Sequence, residues 1–497
     1  MKPVAHPSLY QVNTRVWLTS LSQALGRQAT LDDIPDAELD RLAGTGFDWV
    51  WFLSVWQTGR AGQSVSRANA AWRREFEETL PDLREEDIAG SGFAITGYVV
   101  PASLGGDAAL SRLRQRLAQR GLRLMLDFVP NHMGQDHPWV KSHPAYFVAG
   151  SEEQLAQQPQ NYVRLKRKSG DLILAYGRDP YFSGWPDTLQ LDYSNPELQE
   201  AMIRELEKIA GQCDGVRCDM AMLVLPEVFE RTWGKKPPVF WPVALQRVRR
   251  LVPDFCFMAE VYWDLEWELQ QQGFDYTYDK RLNDRLREGQ ARPVREHLHA
   301  DMAYQFKLAR FLENHDEPRA AATFEPPVHR AAAVITYLIP GLRFFHQGQF
   351  EGREKRISPH LVRAPDEMPN QEIEAFYAQL RAILGRPIVK SGAWQALACQ
   401  PAWDGNDSWD AFVAHAWSET DPKQANERML IVVNYAPHAS QCYIKLPFPE
   451  LKEHSVQLKD LLSAVSYVRE GDALIERGLY LDLQPWSYHV FDLEINQ

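Results

Sequence analysis

The sequence predicts an α/β chain: a (β/α)8 barrel of the TIM type, an excursion domain after its third strand and a C-terminal antiparallel β-sandwich. Three observations predict it. Short apolar runs of strand length recur between segments of helical periodicity, the signature of parallel β/α architecture. A long irregular stretch breaks the alternation after the third run. Beyond about Pro387 the pattern changes to β-type runs separated by turn residues. At 497 residues the chain exceeds what one hydrophobic core supports. The expected division is a barrel of residues 1–131 and 191–387, an excursion of 132–190 and a sandwich of 388–497.

Taken in order, strand-like runs occur at 9–18, 47–55, 122–130, 214–220, 255–262, 274–278, 308–312 and 342–346. Two intervening helices have clear punctuation. Asp107 is placed to cap a helix whose Leu110, Leu113 and Leu117 recur at helical spacing until Gly121 supplies a left-handed stop. Asn195 and Pro196 supply a cap and a first-turn proline, after which Leu198, Met202, Leu206 and Ile209 form one apolar stripe. The stretch 132–190 is rich in Gln, Pro, Gly and aromatics and reads as an excursion over the barrel mouth. In the terminal region, 411–417, 429–435, 441–446 and 488–493 read as sandwich strands.

Composition narrows the function. A formal charge of -12 with scattered Lys and Arg argues against nucleic acid as a partner and suits a neutral substrate. Aromatic residues make up 11% of the chain, and flat aromatic faces at a cleft stack on sugar rings as readily as they fill a core. No stretch approaches the roughly 20 continuous apolar residues of a membrane span. The five cysteines show neither paired nor zinc-type spacing, so buried thiols are expected. The first residues lack the apolar core of a secretory signal, which makes the cytoplasm the expected location. Nothing in the composition bears on oligomeric state.

Three acidic motifs close separate apolar runs: Gly215-Val216-Arg217-Cys218-Asp219, Met258-Ala259-Glu260-Val261 and Glu313-Asn314-His315-Asp316. A carboxylate at a buried strand tip is costly to desolvate, so three in succession point to an active site built from strand ends. Residues two apart on a strand face one way, so Arg217 and Asp219 share a side, and a guanidinium there keeps a nucleophilic carboxylate ionised. A purely structural ion pair is the alternative. Glu260 follows an apolar run that raises a carboxyl pKa and leaves a proton donor; the alternative is a capped glutamate. Such unlike carboxyls are what glycoside cleavage with retention requires.

With Asp127-Phe128-Val129-Pro130-Asn131-His132 closing the third run, the four segments resemble, in order and spacing, the signature regions of the α-amylase family of glycoside hydrolases. The resemblance implies a retaining hydrolase of α-glucosidic bonds in α-glucans, maltooligosaccharides or small α-glucosides. It makes Asp219 the nucleophile, Glu260 the acid/base and Asp316 the third carboxylate. Arg217, His132 and His315 match positions that contact the sugar, and Asp127 matches one that orders the loop there. Phe93, in Gly92-Phe93-Ala94-Ile95-Thr96-Gly97-Tyr98, stands where the family usually stacks a Tyr beneath the sugar; a core Phe is the alternative.

Two departures stand out. Calcium-dependent members usually carry an Asp where this chain has Gln190, a poorer ligand for a hard cation, although Asn131 matches; no cofactor is expected and calcium is disfavoured there. After the nucleophile, Met220-Ala221-Met222-Leu223 replaces the usual polar acceptor contacts, with Trp185, Tyr262 and Trp263 as candidate stacking residues. Transfer to a sugar or to phosphate therefore stays open beside hydrolysis, as does a non-catalytic sugar-binding role.

Overall fold

The computed structural model describes residues 5–167, 170–419 and 427–496. Eight parallel strands close into a barrel: β1 (Ser8–Asn13), β2 (Trp49–Leu53), β3 (Arg123–Phe128), β4 (Gly215–Cys218), β5 (Cys256–Ala259), β6 (Tyr276–Tyr278), β7 (Leu308–Arg310) and β8 (Leu342–His346). They follow one another around the ring in chain order, and β8 pairs back to β1. Each expected run supplies one strand. The runs are apolar on both faces because side chains fill the barrel interior while helices cover its outside.

The first run is longer than its strand for a local reason. The Asn13 side chain accepts the Val16 backbone N–H at 3.3 Å, which starts a helix at Thr14 and turns Val16 and Leu18 into its buried face. The helix Gly106–Ala118 buries Leu110, Leu113 and Leu117, and Gly121 adopts φ 75. Its cap, however, is Gly105 at φ 97; Asp107 instead accepts the Val100 N–H at 2.8 Å and ties the helix start to the preceding segment. The helix Pro196–Ala210 begins as expected, with Asn195 accepting the Glu197 N–H at 2.9 Å.

After β3 the chain enters the excursion through His132–Gly134, which pairs antiparallel with Thr188–Gln190 on the way back. Exit and return are thus zipped together beside the barrel mouth. Between them lies the hairpin of Tyr162–Leu165 and Leu172–Ala175. At Gly134 a side chain would meet the Ala94 carbonyl oxygen at 2.7 Å, so glycine permits the excursion to lie directly on the segment that carries Phe93.

The C-terminal region is a six-stranded sheet facing a three-stranded one around Phe412, Leu430, Val432, Leu458, Leu481 and Phe491. It contains the four expected runs and five further strands, among them Ser466–Glu470, which is exposed along most of its length and so lacks an apolar signal. The sandwich is tied to the barrel by Trp417, whose Nε1 donates to the Leu338 carbonyl at 2.7 Å, and by the Tyr435 hydroxyl, which donates to Leu286 at 2.7 Å. The five cysteines are free and buried. Among the described residues, no helix is long and apolar enough to cross a membrane.

Candidate active site

The barrel ladder continues one residue past β4 and β5. The Asp219 N–H donates to the Phe128 carbonyl at 2.8 Å and the Glu260 N–H to the Cys218 carbonyl at 3.0 Å. Asp219 and Glu260 therefore stand on strand-like backbone at the C-terminal rim, where barrels of this kind place their chemistry. Asp316 reaches the same rim from a turn after β7, in which Asn314 Oδ1 accepts the N–H groups of Asp316 and Glu317, both at 2.9 Å.

Arg217 is the hub. It is fully buried, and its Nη1 donates to Asp219 Oδ1 at 2.6 Å while its Nη2 lies 2.6 Å from Glu260 Oε2. Asp316 Oδ2 lies 4.0 Å from Nη2, and Asp127, its partner in register on β3, lies 3.9 Å from Nη1. The Nη2 contact with Glu260 is close but not aligned as a hydrogen bond, so Nε and Nη2 keep donors without an acceptor among the described residues. The rings of Phe93, Trp51 and Tyr278 surround the guanidinium at 5.2, 5.4 and 5.8 Å from its carbon.

Burial pushes Glu260 up to about 8; Asp219 and Asp316 push the same way and Arg217 opposes them. Glu260 is therefore mainly a carboxylic acid at neutral pH. Burial also raises Asp127 to about 7, and its Oδ2 accepts the Ser54 N–H at 3.1 Å. Asp316 opens to the cleft, with 42% of its side chain exposed, yet the crowded wall behind it raises its carboxyl above the usual range. His132 and His315 are both held neutral by burial. His315 Nδ1 lies 2.9 Å from the Gln11 amide nitrogen, a donor, which assigns the proton to Nε2 on the side of Asp316.

The structure thus gathers Asp219, Glu260, Asp316, Arg217, His315, Phe93 and Asp127 around one point. His132 begins the excursion strand beside them, its ring 5.2 Å from that of Trp185. Glu313, the first carboxylate of the third motif, turns away: it is buried against Arg319 Nη1 at 2.6 Å. Of the candidate stacking residues, Tyr262 instead places its hydroxyl 2.8 Å from Glu260 Oε1, and Trp263 packs edge-on against Tyr181. Gln11, Trp51 and Tyr278 were not singled out from the sequence, although a polar Gln inside an apolar strand run was a readable signal.

Backbone strain collects here too. Ser54, Met220, Trp263 and Asp264 all have positive φ without being glycine. At Met220 the left-handed turn points its N–H at Glu260 Oε2, 2.7 Å away.

The position that the family resemblance assigns to calcium does not suit a cation. Gln190 is fully buried, and its Nε2 lies 2.9 Å from Asn131 Oδ1, 3.0 Å from Asn131 O and 3.1 Å from Leu191 O. An amide donor thus gathers the oxygens that a hard cation would gather. Thermal melts of the parent are expected to coincide in calcium and in chelator. Gln190→Asp removes that donor, loses about 1–3 kcal/mol in chelator and recovers it with added calcium. A parent melt that falls on chelation contradicts this assignment.

Comparison with known proteins agrees with the geometry. The profile of a family described as "Alpha amylase, catalytic domain" matches residues 39–381. The chain is 22% identical over 302 residues to "Alpha-amylase 3" of Dictyoglomus thermophilum, covering 56% of this chain and 57% of that protein. It is 26% identical over 252 residues to an "Alpha-1,4-glucan:maltose-1-phosphate maltosyltransferase" of Arcanobacterium haemolyticum, covering 50% of this chain and 31% of the other. The chain therefore spans about half or less of the length of these curated relatives. In fold it is similar to the crystal structure of a noncanonic maltogenic alpha-amylase AmyB from Thermotoga neapolitana, with a TM-score of 0.67, 18% identity and coverage of 99% of each chain.

Proposed function

The chain belongs to the α-amylase family of glycoside hydrolases, and from that premise we propose that it cleaves α-glucosidic bonds in α-glucans, maltooligosaccharides or small α-glucosides with retention of configuration. Asp219 attacks the anomeric carbon while Glu260 protonates the departing oxygen, giving a covalent glycosyl-enzyme. Glu260, then ionised, takes a proton from water, which hydrolyses the intermediate and restores both carboxyl groups. Asp316 grips the sugar hydroxyls, and Phe93 supplies an apolar face under the ring.

One observation carries the reading. Asp219 and Glu260 sit on the two terminal nitrogens of the single guanidinium of Arg217. That arrangement favours the short carboxyl separation of retaining enzymes, about 5 to 5.5 Å, over the wider gap that an inverting enzyme leaves for water. The unlike surroundings of the two carboxyls support the division into acid and nucleophile.

A second reading, transfer of the glycosyl group to another acceptor, is favoured by the apolar residues beyond the nucleophile. Ala221, Met222, Leu223 and Val224 are buried and offer no side chain to hold a water. Incubation with maltotriose separates the readings: glucose and maltose are the expected products, with the newly freed anomeric carbon first in the α configuration. Longer oligosaccharides indicate transfer, a sugar phosphate formed in phosphate buffer indicates phosphorolysis, and β configuration at the newly freed anomeric carbon removes the retaining mechanism.

A further inference from the structure

Glu260 does not present two equivalent oxygens. Its Oε2 accepts the Met220 N–H at 2.7 Å and lies 2.6 Å from Arg217 Nη2. Neither neighbour accepts a proton, since a backbone amide and a guanidinium only donate. Among the described residues, Oε1 faces a single partner, the hydroxyl of Tyr262 at 2.8 Å. A hydroxyl both donates and accepts, so it can serve the ionised and the protonated carboxyl alike by rotating. Burial holds the Tyr262 phenol well above its usual range, which keeps its proton in place at working pH.

We propose that Tyr262 is a positioning residue for the acid: its hydroxyl fixes the transferable proton of Glu260 on Oε1, while Met220 and Arg217 keep Oε2 proton-free. This rests on the reading of Glu260 as proton donor. In the ground state Oε1–H is held by the phenol oxygen. When substrate is seated, the same proton passes to the glycosidic oxygen, and the phenol then donates to the carboxylate oxygen left behind. The other groups facing Glu260 are Asp219 beside β4, Tyr278 on β6 and Asp316 after β7, and none of them is hydrogen-bonded to Oε1.

The arrangement predicts opposite pH effects for two substitutions. A hydrogen bond to an ionised carboxylate is stronger than one to its acid, so the phenol favours the ionised form. Tyr262→Phe removes that preference and moves the alkaline limb of kcat/KM up by roughly one pH unit. Replacing Tyr262 with 3-fluorotyrosine, a more acidic phenol in nearly the same volume, moves the limb down. The carboxyl band in infrared spectra that vanishes in Glu260→Gln follows both shifts without any turnover. Circular dichroism melts confirm that each protein is folded.

Shifts of opposite sign in the two variants support the proposal. Turnover with an unmoved limb in both, or a loss of kcat in Tyr262→Phe with an unchanged pH profile, overturns it. The infrared arm separates this proposal from the broader function. A band that moves in both variants while no α-glucoside is cleaved upholds the hydrogen-bond assignment and removes the catalytic reading of Glu260.

Discussion

Asp219→Asn is expected to reduce turnover by a factor on the order of 10⁴ or more while leaving the protein folded. The variant keeps the shape of the side chain. Its amide oxygen still accepts from Arg217 Nη1, the contact that Asp219 makes at 2.6 Å. What disappears is the negative oxygen that bonds to the anomeric carbon, and a neutral amide is a poor nucleophile at any pH. Some stability is lost, because the fully buried Arg217 gives up the carboxylate at its Nη1 and keeps only Glu260 and Asp127, both raised toward their neutral forms. Rates on maltotriose and on an aryl α-glucoside, with melting curves for both proteins, make the test. Activity within tenfold of the parent in a pure sample takes Asp219 out of the nucleophile role.

That prediction uses a residue visible in the sequence, and it is instructive why others were not. The eight barrel strands were legible because a strand buried on both faces must be apolar throughout, and such runs stand out between amphipathic helices. The carboxylates at their tips were legible for the opposite reason, as charges placed where desolvation is expensive. Asp107 misled because a good capping residue was present while Gly105 took the cap through its backbone freedom. The strand Ser466–Glu470 was hidden because an exposed edge has no apolar period to read.

The site contacts that escaped notice depend on backbone conformations the sequence does not announce. Met220 reaches Glu260 only because it occupies a left-handed conformation with φ 42, and no glycine or asparagine marks that turn. Trp263 and Asp264 share the feature, and Asp264 is fastened by Arg281. Tyr262, read as a ring for stacking, is used through its hydroxyl. Residue type gave the chemistry available; tertiary packing decided which end of the side chain was used. The same limit applies to Gln190, whose neutrality was plain in the sequence but whose role as a donor among three oxygens required coordinates.

Glu260→Gln is the complementary experiment, and its signature is selective. Loss of the proton donor is expected to slow cleavage between sugars by about 10²–10⁴. An α-glucosyl fluoride needs no proton to release its leaving group, so its first step should suffer far less. The pH profile supplies a second signature. Glu260 acts as an acid only while protonated, so parent activity falls as pH rises through about 8, and that limb should be absent from the variant. Stability moves in a matched direction. A carboxyl raised from 4.5 to about 8 binds its proton more tightly in the folded chain than in the unfolded one. Its contribution is complete below 4.5 and is lost as pH rises toward 8, whereas glutamine does not titrate. The melting temperature of Glu260→Gln should therefore gain on the parent across that window. Equal slowing on the fluoride and on maltotriose, or an alkaline limb that survives the substitution, would place the proton donor elsewhere in the cleft.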